Sequence, residues 1–106
     1  AAELPMSACG FLRAENRGEG FESVGWRFSP EKIFNRSKVA SFLQSIDADR
    51  IKAVLITDEG AFGYNISGAV FSEIPIDDCV ESRLEVISLQ SNPCWEEALL
   101  GCLEAI

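Results

Sequence analysis

Apolar and polar residues alternate with a period of two through most of this chain, and a helical period interrupts the alternation twice. Phe21 to Phe28 sets Val24, Trp26 and Phe28 on one side and Ser23, Gly25 and Arg27 on the other, which predicts a first strand. Ser29-Pro30-Glu31 then has the composition of a helix start: serine caps free N–H groups, proline suits the first helical position, and glutamate favours the positive end of the dipole. Val39, Phe42, Leu43 and Ile46 follow at i, i+3, i+4, i+7 spacing, and Asp47-Ala48-Asp49 closes the helix. Arg50 to Thr57, Ala61 to Ile66, Ala69 to Ile74 and Arg83 to Leu89 are four further strands. Asp58-Glu59-Gly60 and Ser67-Gly68 turn between them, and Ile76 to Ser82 is a connector. Pro75 is expected to stop the fourth strand, since it cannot donate to a ladder. Asn92-Pro93 opens a last helix whose face carries Trp95, Ala98, Leu99, Cys102 and Ile106.

The resulting order is β-α-β-β-β-β-α. Strands joined by two- or three-residue turns are antiparallel neighbours. The pattern therefore predicts an α+β two-layer sandwich: a five-stranded, mainly antiparallel sheet with two helices on one face. Residues 21–106 form this domain, and residues 1–20, with ENRGEG at their end, are expected to be a lead-in or linker.

Period two also assigns faces. With Ile51, Ala53 and Leu55 toward the helices, Arg50, Lys52, Val54 and Ile56 face the other way. Leu84 and Val86 likewise face inward, leaving Arg83, Glu85, Ile87 and Leu89 outward. Cross-strand pairing, for example of Lys52 with Glu85, accounts for the charges. Four apolar side chains on the uncovered face point instead to a docking patch made of Arg50, Lys52, Val54, Ile56, Arg83, Ile87 and Leu89. Its occupant is another domain, a second copy of the chain, or the N-terminal segment folding back.

Composition narrows the chemistry. The 106 residues suit one domain, and 47% apolar content supports a core. Seventeen acidic against nine basic residues give a formal charge of -8, which argues against nucleic acid. No stretch has the roughly 20 apolar residues of a membrane span, and the start lacks the pattern of a secretory signal. Histidine is absent, so a Ser-His-Asp or Cys-His arrangement cannot form within the chain. Cys9, Cys79, Cys94 and Cys102 contain no Cys-x-x-Cys pair. They are expected to be reduced thiols in a cytoplasmic protein, with Cys94 and Cys102 as small core residues. No phosphate loop and no G-x-G-x-x-G occurs. No catalytic residue, metal ligand or cofactor is assigned.

Several local patterns resemble the CobW C-terminal domain, the module that follows the P-loop GTPase domain in CobW-type proteins. Phe21-Glu22-Ser23-Val24 resembles its opening strand, Pro30 to Phe34 through Phe42-Leu43 its first helix, and Arg50 to Leu55 its Arg-x-Lys-Gly strand. Arg83 to Ser88 resembles its late strand, and Trp95 to Leu99 through Cys102-Leu103 its closing helix. Ala53 and Ser88 stand where the family has glycine, and the His-rich linker is missing. The resemblance implies a non-catalytic accessory domain of a GTPase involved in metal delivery or cobalamin biosynthesis. Its partners would be that GTPase domain or a metal-receiving client protein. A stand-alone ligand-binding or sensory domain, with a cleft beside Trp26, Tyr64 and Trp95, is the alternative. An enzyme using carboxylates such as Glu85 or Asp58 has no paired-carboxylate motif behind it.

Overall fold

The computed structural model describes residues 11–104. The expectations for residues 1–10, Cys9 among them, and for Ile106 lie outside the described residues. Six strands and two helices follow in the order β1 (Phe11–Gly18), β2 (Phe21–Phe28), α1 (Arg36–Ser45), β3 (Arg50–Thr57), β4 (Gly60–Ser67), β5 (Val70–Ile76), β6 (Ser82–Ser88) and α2 (Cys94–Leu100). One antiparallel sheet has the strand order β1-β2-β6-β3-β4-β5. The α+β class with both helices packed on one core is as the pattern predicts; the sheet has one strand more.

The additional strand is β1, inside the segment expected to be a lead-in. FLRAENRG has almost no alternation of its own, and it is ordered by pairing along its whole length with β2. The turn Glu19-Gly20 makes this hairpin: both residues have left-handed φ, 53° and 84°, as the type I′ form of a two-residue hairpin loop requires.

The core fills one side of the sheet. Trp26, Leu84, Ala53 and Tyr64 form one transverse row across four neighbouring strands, and Val24, Val86, Ile51 and Ile66 form the next. Val39, Phe42 and Leu43 of α1 and Trp95 and Leu99 of α2 close over these rows, all of them buried. Trp26, Tyr64 and Trp95 are thus packing residues of one core, 2%, 2% and 9% exposed, and they share no common cleft.

Two boundaries differ from the pattern for physical reasons. Helix α1 starts at Arg36, not near Pro30, because Phe34 is held extended. Its N–H donates to the Ile56 carbonyl (2.9 Å), and its own carbonyl accepts from Asp58 N (2.9 Å). Asn35 N and Ile33 O bond Cys102 O and Glu104 N at 2.7 Å each, so residues 33–35 are sandwiched between β3 and residues 102–104. The cap is Asn35, whose side chain accepts from Lys38 N at 2.9 Å. Ser29 instead closes a tight turn through its carbonyl, 3.0 Å from Lys32 N.

The other boundary is Pro75. It lies inside β5 opposite Phe62 and does not end the strand at Ile74. β5 is an edge strand, where a residue without an N–H can face outward at no cost to the ladder. At the C-terminal end, α2 stops at Leu100; Cys102 is buried just beyond it, while Ala98 and Cys94 are exposed. Cys94 is therefore not a core residue.

Candidate interaction face

The register brings most of the expected patch together. Arg50 lies opposite Ile87, Lys52 opposite Glu85, and Val54 opposite Arg83, all on the sheet face that the helices leave uncovered. Ile56 continues the β3 row on the same face. Leu89 lies one residue past the end of β6 and is 69% exposed. Val54, Ile56 and Ile87 are half-buried and present less apolar surface than four open side chains would.

Strands outside the expected patch supply the rest of the face. Leu12, Ala14, Gly25 and Arg27 belong to it on β1 and β2, as do Ile74 and Ile76 on β5. Alternation within Phe21–Phe28 already put Gly25 and Arg27 opposite the core residues; the missed strand β1 hid Leu12 and Ala14, Pro75 hid Ile76, and Ile74 ended an expected strand that was given no face. Gly63 lets Ile74 and Ile76 fold across it: a Cβ there would lie 3.3 Å from Ile76 Cδ1 and 3.5 Å from Ile74 Cγ1.

The charge of the face opposes that of the molecule. Its strands carry Arg27, Arg50, Lys52 and Arg83 against the single carboxylate Glu85, on a chain whose formal charge is -8. At its end Glu81 bridges two of the guanidiniums. Arg27 donates from Nε (2.7 Å) and Nη2 (2.9 Å), and Arg83 from Nε (2.8 Å). The Arg27 hydrogen bonds, with those of Arg83, hold the Glu81 carboxyl down at about 2 against the opposing effect of burial.

Between these side chains runs an open groove of about 430 Å³, bounded by Ala14, Gly25, Arg27, Lys52, Val54, Arg83 and Glu85. Its floor is small residues. Gly25 sits mid-strand without need of a special conformation, and a Cβ there would meet only the Leu84 carbonyl at an ordinary 3.5 Å. A glycine that the packing does not demand, inside a strand, marks a place where another molecule's atoms can come close to the backbone.

Polar groups also gather at two places away from this face. Arg36 lies 4.0 Å over the Phe62 ring and donates to Glu73 (2.8 and 3.3 Å) and Glu59 (3.3 Å). Next to it the Tyr64 hydroxyl is buried without a well-aligned hydrogen bond, although Glu73 is near enough to act on it; burial first, then that carboxylate, raise its pKa. This cluster ties α1 to β4 and β5, and its charges are satisfied by one another. An open polar groove of about 450 Å³ lies between Ser45, Asp47, Gln90, Asn92 and Trp95, of which Trp95 offers only an edge. Among the described residues no three metal-ligating side chains converge. Glu85 lies opposite Lys52, and the Asp58 carboxylate accepts from the Arg36 N–H at 2.9 Å.

No family model, no curated protein and no solved structure matches the chain.

Proposed function

We propose that this chain is a non-catalytic docking domain that receives an acidic, apolar-bearing surface of another protein on the uncovered face of its sheet. The observation that carries this reading is the basic rim of Arg27, Lys52 and Arg83 around a small-residue groove, with Arg50 further along the same face, on an otherwise acidic molecule. Charge complementarity would steer the partner and fix its orientation. Val54, Ile56, Ile74, Ile76 and Ile87 would contribute the apolar contact.

In its narrower form the reading follows the resemblance to the CobW C-terminal domain. The partner is then a P-loop GTPase domain or the client protein that takes the metal from it, in the cytoplasm. The helix and strand order from β2 onward supports this form, and so do the Arg50-Ile51-Lys52 and Arg83-Leu84-Glu85 segments, which lie side by side on the docking face. Cys79 and Cys102 as thiol donors, to Glu81 O and Ala98 O, suit a reducing compartment.

Site-specific photo-crosslinking in cells tests both forms. A crosslinker at Lys52 should capture one protein species, one at the exposed helix residue Glu97 should not, and Ile56→Asp should abolish the capture while the chain stays folded. Equal capture from both positions, or none from Lys52, would remove the docking face. The narrower form stands only if the captured partner, or the same reading frame, carries a G-x-x-x-x-G-K-[ST] loop.

A further inference from the structure

We propose that two copies of this chain pair edge to edge through β5, joining their sheets about a two-fold axis at Ser72. The inference uses the hydrogen-bonding edge of the sheet and shares only Ile74 with the docking face; its readout is self-association of the purified chain, so it goes beyond the docking role and fails independently of it.

Among the described residues the sheet ends at β1 and β5, and these two edges are built differently. β1 exposes Arg13, Glu15 and Arg17, alternating charges of the kind that discourage strand addition. β5 exposes Val70 (68%), Phe71 (38%) and Ile74 (56%) along a five-residue run. Among the described residues β5 has a hydrogen-bonding neighbour on one side only, β4.

The register fixes which backbone groups remain. Ser67 and Val70 flank the two-residue loop Gly68-Ala69, in which Gly68 supplies the left-handed φ of 59°. The pair flanking such a loop exchanges hydrogen bonds, and the bonded pairs then alternate. Val70, Ser72, Ile74 and Ile76 thus bond β4, and Phe71, Glu73 and Pro75 turn their backbone groups to the open edge. Pro75 has no N–H to offer there and Gly68 ends the strand, so the usable ladder runs from Val70 to Ile74.

That ladder is self-complementary in one antiparallel register. With Ser72 on the axis, Phe71 bonds Glu73 of the second copy and Glu73 bonds its Phe71, which gives four main-chain bonds. Val70 then lies directly opposite Ile74 of the other copy, twice, so the two most exposed apolar side chains of the strand cover each other on the outer face. Moving the axis to Glu73 would set two carboxylates opposite each other, and moving it to Phe71 would leave Ile74 facing a glycine. A strand from an unrelated protein has no such matched spacing to meet.

Sedimentation velocity of the full chain, from micromolar to submillimolar concentration, should show a reversible monomer–dimer equilibrium. Val70→Lys with Ile74→Lys should raise the dimer dissociation constant by about tenfold or more. The positions are open to solvent, so the circular dichroism spectrum should not change. In a background with Cys9, Cys79 and Cys94 replaced by serine, Ser72→Cys should oxidise to a covalent dimer. Its axial position is a non-bonded pair, where side chains are closest. Val70→Cys alone should not crosslink. A monomer at every concentration, open-ended aggregation, a dimer indifferent to the two lysines, or equal crosslinking at residues 70 and 72 would each overturn the proposal.

Discussion

Arg27 and Glu81, 54 positions apart, form a two-armed ion pair with contacts of 2.7 and 2.9 Å. It ties β2 to the chain entering β6, and the Arg83 guanidinium shares the same carboxylate. The carboxyl's pKa in the fold, about 2, lies below its ordinary value of 4.5. The stability it contributes is therefore complete above about 4.5 and disappears as pH falls toward 2. Solvent still reaches the arginines, with Arg83 55% exposed, so about 1 kcal/mol is expected rather than the full value of a buried pair. Urea midpoints between pH 7 and 2 should show Glu81→Gln less stable at neutral pH, with the gap to the parent closing in acid. A constant gap would mean the carboxylate's charge plays no part.

Tyr64 is the single tyrosine, so absorbance at the phenolate band reports it alone. Burial against the core and the neighbouring Glu73 both favour the neutral phenol. A folded pKa raised above the free value contributes stability below about 10 that is lost as pH climbs past it. Ionisation should therefore start well above pH 10 and coincide with loss of the circular dichroism signal. In Glu73→Gln it should shift downward yet stay above the free value, because burial is the larger cause. A midpoint at 10 in the folded protein would contradict the burial of that hydroxyl.

Side-chain alternation was enough to put Lys52 and Glu85 on one face, where the register sets them opposite each other, and to separate Ile51, Ala53 and Leu55 from Lys52 and Val54, because a buried face imposes period two on every central strand. β1 escaped the same reading because its order comes from pairing with β2, not from a buried stripe of its own. Only the Glu19-Gly20 turn, at its C-terminal end, signalled it. Pro75 misled because its effect depends on which way the missing N–H points, and that follows from strand order, a long-range property. The basic residues of the face were legible in part: alternation assigned Arg50, Lys52 and Arg83 to it, while Arg27 joins them only through the β2–β6 pairing.

The start of α1 supplies a paired test of local and tertiary control. Asn35 satisfies the Lys38 N–H, and Asn35→Ala should cost about 1 kcal/mol in a chemical denaturation curve. Ser29, the cap that composition suggests, holds a buried hydroxyl without a partner. Ser29→Ala should leave the midpoint unchanged or raise it slightly, since an unsatisfied polar group is removed. The reverse ranking would put the helix start back at Pro30.

Gly25 separates folding from docking most cleanly. Nothing around it forbids a side chain, and a strand interior prefers a β-branched residue to glycine by up to about 1 kcal/mol. Gly25→Val should therefore leave the thermal midpoint equal or higher. Its two methyl groups would stand in the groove between Ala14 and Glu85 and keep a partner's atoms from the backbone. Crosslinking from Lys52 should then fall several-fold although the domain is no less stable. Loss of stability would show that the fold itself needs the glycine, and unchanged crosslinking in a stable variant would show that partners approach by a route other than this groove.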